Sequence, residues 1–223
     1  MKMKIVLVLT IAGFWCVSTA PASFVLWTNH TGSAQTFDWE GGGSTDALFG
    51  DPDVIGDTFV FNPTDFRVES SDGTSGLLGA QLKVDLFAHA GQMITGIRIV
   101  ELGDYGIAGT GEVQVTGTMF MTNQTDTDDF GLPLVETDDL VSDPLSPITS
   151  GSGSWQATAE ISGLDWTEVT FQLNNNLFAI TDGGSSAFIE KKITGAVLVT
   201  VIPEPATLAL FAVGGLSLLK KRN

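Results

Sequence analysis

Two groups of closely spaced aspartates have the residue type and spacing that could bind a metal ion. The groups are Asp51, Asp53 and Asp57, and Asp126, Asp128 and Asp129. Hard cations such as calcium take several oxygen ligands at once, so each group is a candidate calcium site. Neither group has the spacing of an EF-hand loop, and aspartate also caps turns. A structural role in turns is the alternative, and calcium is the one cofactor that these residues suggest.

The sequence offers little that could carry out catalysis. A serine hydrolase needs a histidine base, and His30 and His89 are the two histidines of the chain. Neither accompanies a Gly-x-Ser-x-Gly motif, and phosphate-binding and dinucleotide-binding loops are absent from the sequence. A glycosidase needs two carboxylates that face each other across a cleft, and no pair stands out among the many acids. We expect no catalytic residues and a protein that is not an enzyme.

Tryptophans could instead form a platform for a sugar. Trp39 is the best candidate for a glycan contact, because it stands between Asp38 and Glu40, outside a clear strand pattern. Trp155 lies on the apolar face of an alternating segment and is expected in the core. Core packing is the alternative for every tryptophan of the chain.

The charge distribution excludes some partners. The chain has 10 basic and 26 acidic residues and a formal net charge of −16. Residues 23–202 hold 5 of the basic residues and 25 of the acidic ones. So negative a domain repels nucleic acid and anionic lipid. The single cysteine, Cys16, precedes this domain, so disulfides and thiolate metal sites are excluded from it.

Alternation of apolar and polar residues predicts β-strands in the acidic domain. In residues 112–121, Val113, Val115, Met119 and Met121 share one face. The same pattern covers residues 155–161 and 167–174, and shorter segments bring the total to about ten strands. Turns are predicted at residues 71–73, 90–91, 109–111, 174–176 and 182–184.

These strands predict an all-β, antiparallel β-sandwich or jelly roll, with helix confined to the two termini. A closed barrel is the alternative, because periodicity does not distinguish the two. Two stretches are predicted as loops, namely residues 41–45 and a long, Asp- and Thr-rich segment over residues 123–153.

The N-terminal residues have the pattern of a cleavable signal peptide. Lys2 and Lys4 precede an apolar run over residues 5–17, which is shorter than a typical transmembrane helix. We expect a signal peptidase to cleave after Ala22 and leave Ser23 as the first residue. The predicted organisation is a signal peptide at 1–22, the acidic domain at 23–202 and a tail at 203–223.

The tail combines a Pro203-Glu204-Pro205 motif, an apolar run over residues 206–219 and the basic Lys220, Lys221 and Arg222. In this order the three features resemble the PEP-CTERM sorting domain, which some collections label an ice-binding protein C-terminal domain. The acidic domain is loosely similar to the Gly- and Thr-rich β domains that precede such tails, chiefly over residues 84–121.

The resemblance implies that the protein is an exosortase substrate in a bacterium that makes exopolysaccharide. As a helix the apolar run would be roughly 21 Å long, against about 30 Å for a bilayer core. We therefore expect transient anchoring in the inner membrane, processing near the motif, and a final location at the cell surface or outside the cell.

The sequence thus predicts an exported, non-catalytic surface or matrix protein that is associated with exopolysaccharide. Two alternatives stay open. One is a calcium-dependent carbohydrate-binding module, and the other is a polysaccharide-active enzyme with a sandwich fold.

Overall fold

A computed structural model describes residues 23–192 and 195–203 of the chain. The predicted signal peptide, its cleavage residue Ala22 and the predicted tail helix lie outside the described residues. So do Glu204 and Pro205 of the sorting motif, whereas Pro203 and Ser23 lie inside.

Strands make up all of the regular structure in the described residues. No helix in that part of the chain is long and apolar enough to cross a membrane. The strands are β1 (Phe24–Leu26), β2 (Gly32–Ser33), β3 (Phe37–Thr45), β4 (Asp53–Ile55), β5 (Thr58–Phe61), β6 (Arg67–Ser71), β7 (Ser75–Ala88), β8 (Ile94–Ala108), β9 (Gly111–Thr127), β10 (Pro133–Asp139), β11 (Val141–Asp143), β12 (Gly151–Trp166), β13 (Glu168–Thr181), β14 (Ser186–Lys191) and β15 (Val197–Pro203).

The strands form two antiparallel sheets, so the predicted all-β class and sandwich architecture are confirmed. The first sheet has the order β1-β3-β7-β13-β9-β10, with β2 paired to β3. The second sheet runs β11-β12-β8-β15-β5-β4. One edge of β8 pairs with β12, and the other edge is divided between β15 and β14, with β6 beyond β14.

The alternating patterns identify the buried faces correctly. Val113, Val115, Met119 and Met121 of β9 are all buried. The apolar positions of the other two patterns also face the core, and these are Trp155, Ala157, Ala159 and Ile161 in β12 and Val169, Phe171 and Leu173 in β13. A side chain on every second residue therefore packs between the two sheets, as the period of a β-strand requires.

A tight turn joins β6 to β7 where the sequence predicts one. Asp72 and Gly73 both have positive φ, 51° and 79°, and the Thr74 amide donates to the Ser71 carbonyl at 3.1 Å. Two successive positive φ values reverse the chain sharply, and aspartate and glycine tolerate them best. Because β6 and β7 belong to different sheets, this turn carries the chain from the second sheet to the first.

Three loop and turn predictions are wrong. Residues 123–153 contain β10 and β11 and the neighbouring ends of β9 and β12. Residues 41–45 belong to β3, and residues 174–176 lie inside β13. Asn175 pairs with Ala80 on one side and with Gly117 on the other. Hydrogen bonding to two neighbouring strands overrides the local turn preference of asparagine.

Aromatic rings from both sheets fill one end of the core. Phe37 and Trp39 come from β3 in the first sheet, and Phe59 and Phe61 come from β5 in the second. Together with Trp27, Phe49 and Phe66 they form contacts with ring centroids 5.3 to 6.4 Å apart. Tilted and edge-on ring pairs of this kind stabilise a core beyond the area they bury.

Neighbouring residues of β8 test the assignment of its two faces. Ile99 is completely buried, so Ile99→Ala should lower the free energy of unfolding by about 2–5 kcal/mol. Arg98 points outward and has only a weak, exposed ion pair with Glu160 at 3.8 Å, so Arg98→Ala should change it by less than about 1 kcal/mol. Chemical denaturation of both variants measures the difference, and equal costs would contradict the assignment.

Candidate functional site

The first aspartate group accepts hydrogen bonds from the surrounding loops. Asp51 accepts a hydrogen bond from the Thr28 amide at 3.0 Å, and Asp57 accepts one from the Thr36 amide at 2.9 Å. Asp53 contacts the Asn62 carboxamide at 3.5 Å. These carboxylates are therefore directed at separate partners and do not converge on one point.

The second aspartate group shapes the hairpin between β9 and β10. One oxygen of Asp128 accepts hydrogen bonds from the amides of Phe130 and Leu132 at 2.8 and 2.9 Å. Asp126 contacts the Asn123 carboxamide at 3.3 Å, and Asp129 is exposed. Across residues 23–192 and 195–203, no three acidic, histidine or cysteine side chains are arranged to hold a metal ion. Asp51, Asp53, Asp57, Asp126 and Asp128 thus each accept hydrogen bonds from nearby donors, as a turn-forming role requires.

Trp39 is a core residue and not a sugar platform. Its side chain is 6% exposed, and its ring packs edge-on against Phe59 at 5.4 Å. Its indole N–H donates to the Asn29 carbonyl at 2.9 Å. No ring face is left for a sugar, because the alternation of β3 turns position 39 inward.

His89 has partners that resemble a catalytic triad only in their residue types. Its Nε2 lies 3.1 Å from Asp38 and 3.4 Å from Ser33. A serine triad needs the acid and the serine on opposite ring nitrogens, so that the imidazole can pass a proton between them. Hydrogen bonds from Ser33 and His89 lower the pKa of the exposed Asp38. These three residues form a surface cluster without the geometry for nucleophilic catalysis.

The outer face of the second sheet carries a groove centred on Arg67. Strand alternation points Arg67 and Glu69 of β6, and Phe188 and Glu190 of β14, away from the core. The Arg67 guanidinium lies 4.3 Å above the ring of Phe188. It forms ion pairs with Glu69, at 2.6 Å, and with Glu190.

These contacts hold the guanidinium in one position while leaving it accessible. The Arg67 side chain is 39% exposed. Its hydrogen bonds to Glu190 and, secondarily, to Glu69 raise its pKa further above its ordinary value. Arg67 therefore stays charged and presents fixed N–H donors at the surface.

Hollows on each side of Arg67 together form what we call the Arg67 groove. Their volumes are about 310 and 340 Å³. One is lined by Glu69, Ser70, Ser71, Thr74, Ser186, Ala187 and Phe188, and the other by Thr64, Phe66, Asp104, Glu190, Lys191 and Lys192. The lining combines polar and apolar surface in about equal parts, with donors and acceptors close together.

A second polar cluster lies at one end of the groove. The Lys192 ammonium donates to the Ser154 hydroxyl at 3.3 Å and lies 3.7 Å from Asp104. Ser154 in turn donates to Asp104 at 2.7 Å. Of the 5 basic residues in the acidic domain, Arg67 and Lys192 have exposed side chains at the groove, whereas Lys191 borders it with its side chain turned inward.

A buried polar cluster lies inward from the groove, between the sheets. The Glu101 carboxylate of β8 and the Lys191 ammonium of β14 form an ion pair at 2.6 Å, and both side chains are 0% exposed. Asn175 of β13, in the other sheet, donates from Nδ2 to the same Glu101 oxygen at 2.7 Å. We call these three residues the buried triad.

Aromatic rings surround the amine of the buried triad. Lys191 Nζ lies 4.9 Å from the ring centre of Phe66, 5.5 Å from that of Trp155 and 5.8 Å from that of Phe49. Burial lowers the pKa of Lys191 below its ordinary value, although Glu101 acts in the opposite direction. Oε1 of Glu101 and Oδ1 of Asn175 find no hydrogen-bond partner among the described residues.

Sequence reasoning missed both the Arg67 groove and the buried triad. Arg67 and Lys191 stand out only as rare cations in an acidic chain, and Lys191 falls on the inward position of an alternating segment. That position could have identified it, since a lysine on an apolar face requires a partner. The partner of Lys191, Glu101, lies 90 positions away in the sequence.

No family model matches the chain, and no curated protein matches it. Among solved structures, the chain is similar to a family 29 carbohydrate-binding module, with 12% identity over 81% of this chain and 91% of that chain and a TM-score of 0.22. It is also similar to TmCBM61 in complex with β-1,4-galactotriose, with 9% identity over 78% and 97% of the chains and a TM-score of 0.23. The enzymatically active domain of bacteriophage CBA120 tailspike protein 4 matches with 12% identity over 62% and 20% of the chains and a TM-score of 0.22. These TM-scores are too low for the similarity to bear on fold or function.

The aspartate contacts predict how the protein responds to calcium. Millimolar calcium should leave the melting temperature unchanged, because a ligand stabilises the native state only where it binds that state. In contrast, Asp57→Ala should lower the free energy of unfolding by about 1–3 kcal/mol, since it leaves the Thr36 amide unpaired. Differential scanning calorimetry measures both effects, and a calcium-dependent rise that Asp51→Ala or Asp126→Ala abolishes would contradict the turn-forming role.

Proposed function

We propose that this protein is an exported, non-catalytic cell-surface protein whose β-sandwich binds polysaccharide in the Arg67 groove. The observation that carries the proposal is the position of Arg67, stacked on Phe188 between two glutamates on an outward sheet face. Guanidinium and carboxylate groups that are held in place suit the paired hydroxyls of a sugar ring, because one hydroxyl both donates and accepts.

The shape of the groove favours a chain over a small, enclosed ligand. The two hollows adjoin at Arg67 and lie on the face of the sheet, where Glu69 is 66% exposed. Serine and threonine hydroxyls line one hollow, and the Ser154, Asp104 and Lys192 cluster borders the other. Consecutive sugar units could therefore contact different polar groups along the groove.

Charge favours a neutral polysaccharide. Beside Arg67 and Lys192 the groove carries the carboxylates of Glu69, Glu190 and Asp104, so neither cation lacks a counter-charge. The surrounding domain has 25 acidic residues and 5 basic ones, which disfavours polyanions at long range. Binding through hydroxyl groups requires no metal ion, and we propose that it is independent of calcium.

Export and sorting form the second part of the proposal. The predicted signal peptide and the PEP-CTERM-like tail support secretion followed by exosortase processing. β15 ends at Pro203, which pairs with Ile94, and Thr95 donates to the Ile202 carbonyl at 2.9 Å. The sorting motif thus begins where the last strand of the domain ends, so cleavage beyond Pro203 would leave the sandwich intact.

Replacement of Arg67 tests the carbohydrate-binding site. Arg67→Ala removes the central donor and should weaken binding to neutral glycans at least tenfold, or about 1.4 kcal/mol. The matched control is Arg98→Ala, which removes another exposed arginine from the outer face of the same sheet. A glycan array followed by titration calorimetry, with and without a chelator, gives the measurement.

The outcomes of that experiment distinguish the proposed function from its alternatives. Binding that Arg67→Ala leaves unchanged would rule out the Arg67 groove as the site. Binding that the chelator abolishes would contradict calcium independence, and turnover of any glycan would contradict a non-catalytic role.

Replacement of the motif tests sorting. With Pro203, Glu204 and Pro205 all changed to alanine, the native host should retain the protein in its inner membrane with the C-terminal residues intact. The unchanged protein should lose Lys220 to Asn223 and reach the exterior. Mass spectrometry of the C-terminus measures this, and an intact tail in both proteins would show that the tail is only an anchor.

A further inference from the structure

The buried triad places an amine, a carboxamide and a carboxylate together in the core, away from the surface. Lys191 Nζ and Asn175 Nδ2 both donate to Oε2 of Glu101, at 2.6 and 2.7 Å. The two nitrogens are therefore neighbours, with the carboxylate positioned to exchange protons with both. All three side chains are buried, and they come from strands of both sheets.

We propose that Lys191 and Asn175 form an intramolecular isopeptide bond, with Glu101 as the catalytic residue that transfers the protons. The bond would join β14 of the second sheet to β13 of the first through the middle of the core.

The reaction balances without any added reagent. Glu101 takes a proton from the Lys191 ammonium, which leaves a neutral amine with a free electron pair. Nζ of the amine attacks Cγ of Asn175, and the carboxamide C=O bond opens to a tetrahedral centre. Nζ then gives up a second proton, Nδ2 takes one proton by way of Glu101, the bond from Cγ to Nδ2 breaks, and ammonia leaves. The products are one secondary amide, one ammonia molecule and one proton that stays on Glu101 or leaves with the ammonia as ammonium, and nothing is oxidised or reduced.

The surroundings favour the neutral amine that the attack requires. Burial lowers the pKa of Lys191, and the rings of Phe66, Trp155 and Phe49 surround Nζ. Amines act as nucleophiles in such desolvated pockets because burial disfavours their charged form. Hydrolysis of the tetrahedral centre is disfavoured for the same reason, since the closed core excludes water.

Two buried oxygens that lack a hydrogen-bond partner among the described residues also favour a reacting centre over a purely structural ion pair. Oδ1 of Asn175 and Oε1 of Glu101 are buried, and neither has a hydrogen-bond partner among residues 23–192 and 195–203. A structural network of buried polar groups normally satisfies all of its members. Once protonated, Glu101 can donate to the Asn175 carbonyl oxygen and so stabilise the charge that develops there during attack.

Digestion of the mature protein from its host tests the proposal directly. A protease that cuts after glutamate should separate residues 169–190, which contain Asn175, from the peptide that begins at Lys191. The bond predicts one branched peptide whose mass is the sum of the two minus one ammonia molecule, with fragment ions that place the branch at Asn175 and Lys191. Two separate peptides with unmodified Asn175 and Lys191 would overturn the proposal, and this measurement requires no variant.

Variants then assign the roles. Lys191→Arg and Asn175→Ala should each give separate peptides, whereas the matched control Lys192→Arg should retain the branched peptide. Glu101→Gln should leave the peptides separate in protein that folds, as circular dichroism reports. A branched peptide that persists in Glu101→Gln would overturn the catalytic role of Glu101, and one that persists in Asn175→Ala would overturn the assignment of the bond.

Discussion

The central constraint on this fold is that Lys191 and Glu101 can be buried only together. Removing either partner from such a pair leaves an uncompensated charge in the core, which costs about 3–5 kcal/mol. The pair therefore requires β14 to align with β8 so that the two groups meet, and it requires Asn175 to reach across from the opposite sheet. Gly103 permits this arrangement, because a side chain there would collide with the Trp155 indole that packs beside Lys191.

The edge of β8 exchanges one neighbouring strand for another next to Glu101. At Glu101 the partner of β8 is Val197 of β15, and two residues later, at Gly103, it is Lys191 of β14. The amide of Lys192 donates to the Leu102 carbonyl, and the Leu102 amide donates to the Ala196 carbonyl, so the exchange of partners leaves this backbone paired. The buried triad thus lies where the edge of β8 passes from one neighbouring strand to another.

The short strand β14 connects the buried triad to the Arg67 groove. The alternation of β14 places Ile189 and Lys191 in the core and Phe188 and Glu190 on the outer face. Arg67 of β6 packs over Phe188 and pairs with Glu190, while the Trp155 indole donates to the Glu190 carbonyl at 3.2 Å. Whatever holds β14 in place therefore also sets the geometry of the Arg67 groove. A covalent link from Lys191 to Asn175 would rigidify the strand that supports the proposed binding site, which would suit the proposed location at the cell surface.

The sequence by itself determined the all-β class, the buried faces of the alternating strands and the Asp72-Gly73 turn, because these depend on a two-residue period and on local backbone preferences. It misplaced Asn175 in a turn, since pairing with strands on both sides outweighs local propensity. Only the tertiary structure decided that Trp39 is core, that the clustered aspartates cap separate loops, and that Glu101, Asn175 and Lys191 meet. The physical reason is clearest at Glu101, whose two contacts join it to residues 74 and 90 positions away. Sheet registry, which depends on the whole chain, determines which residues face each other.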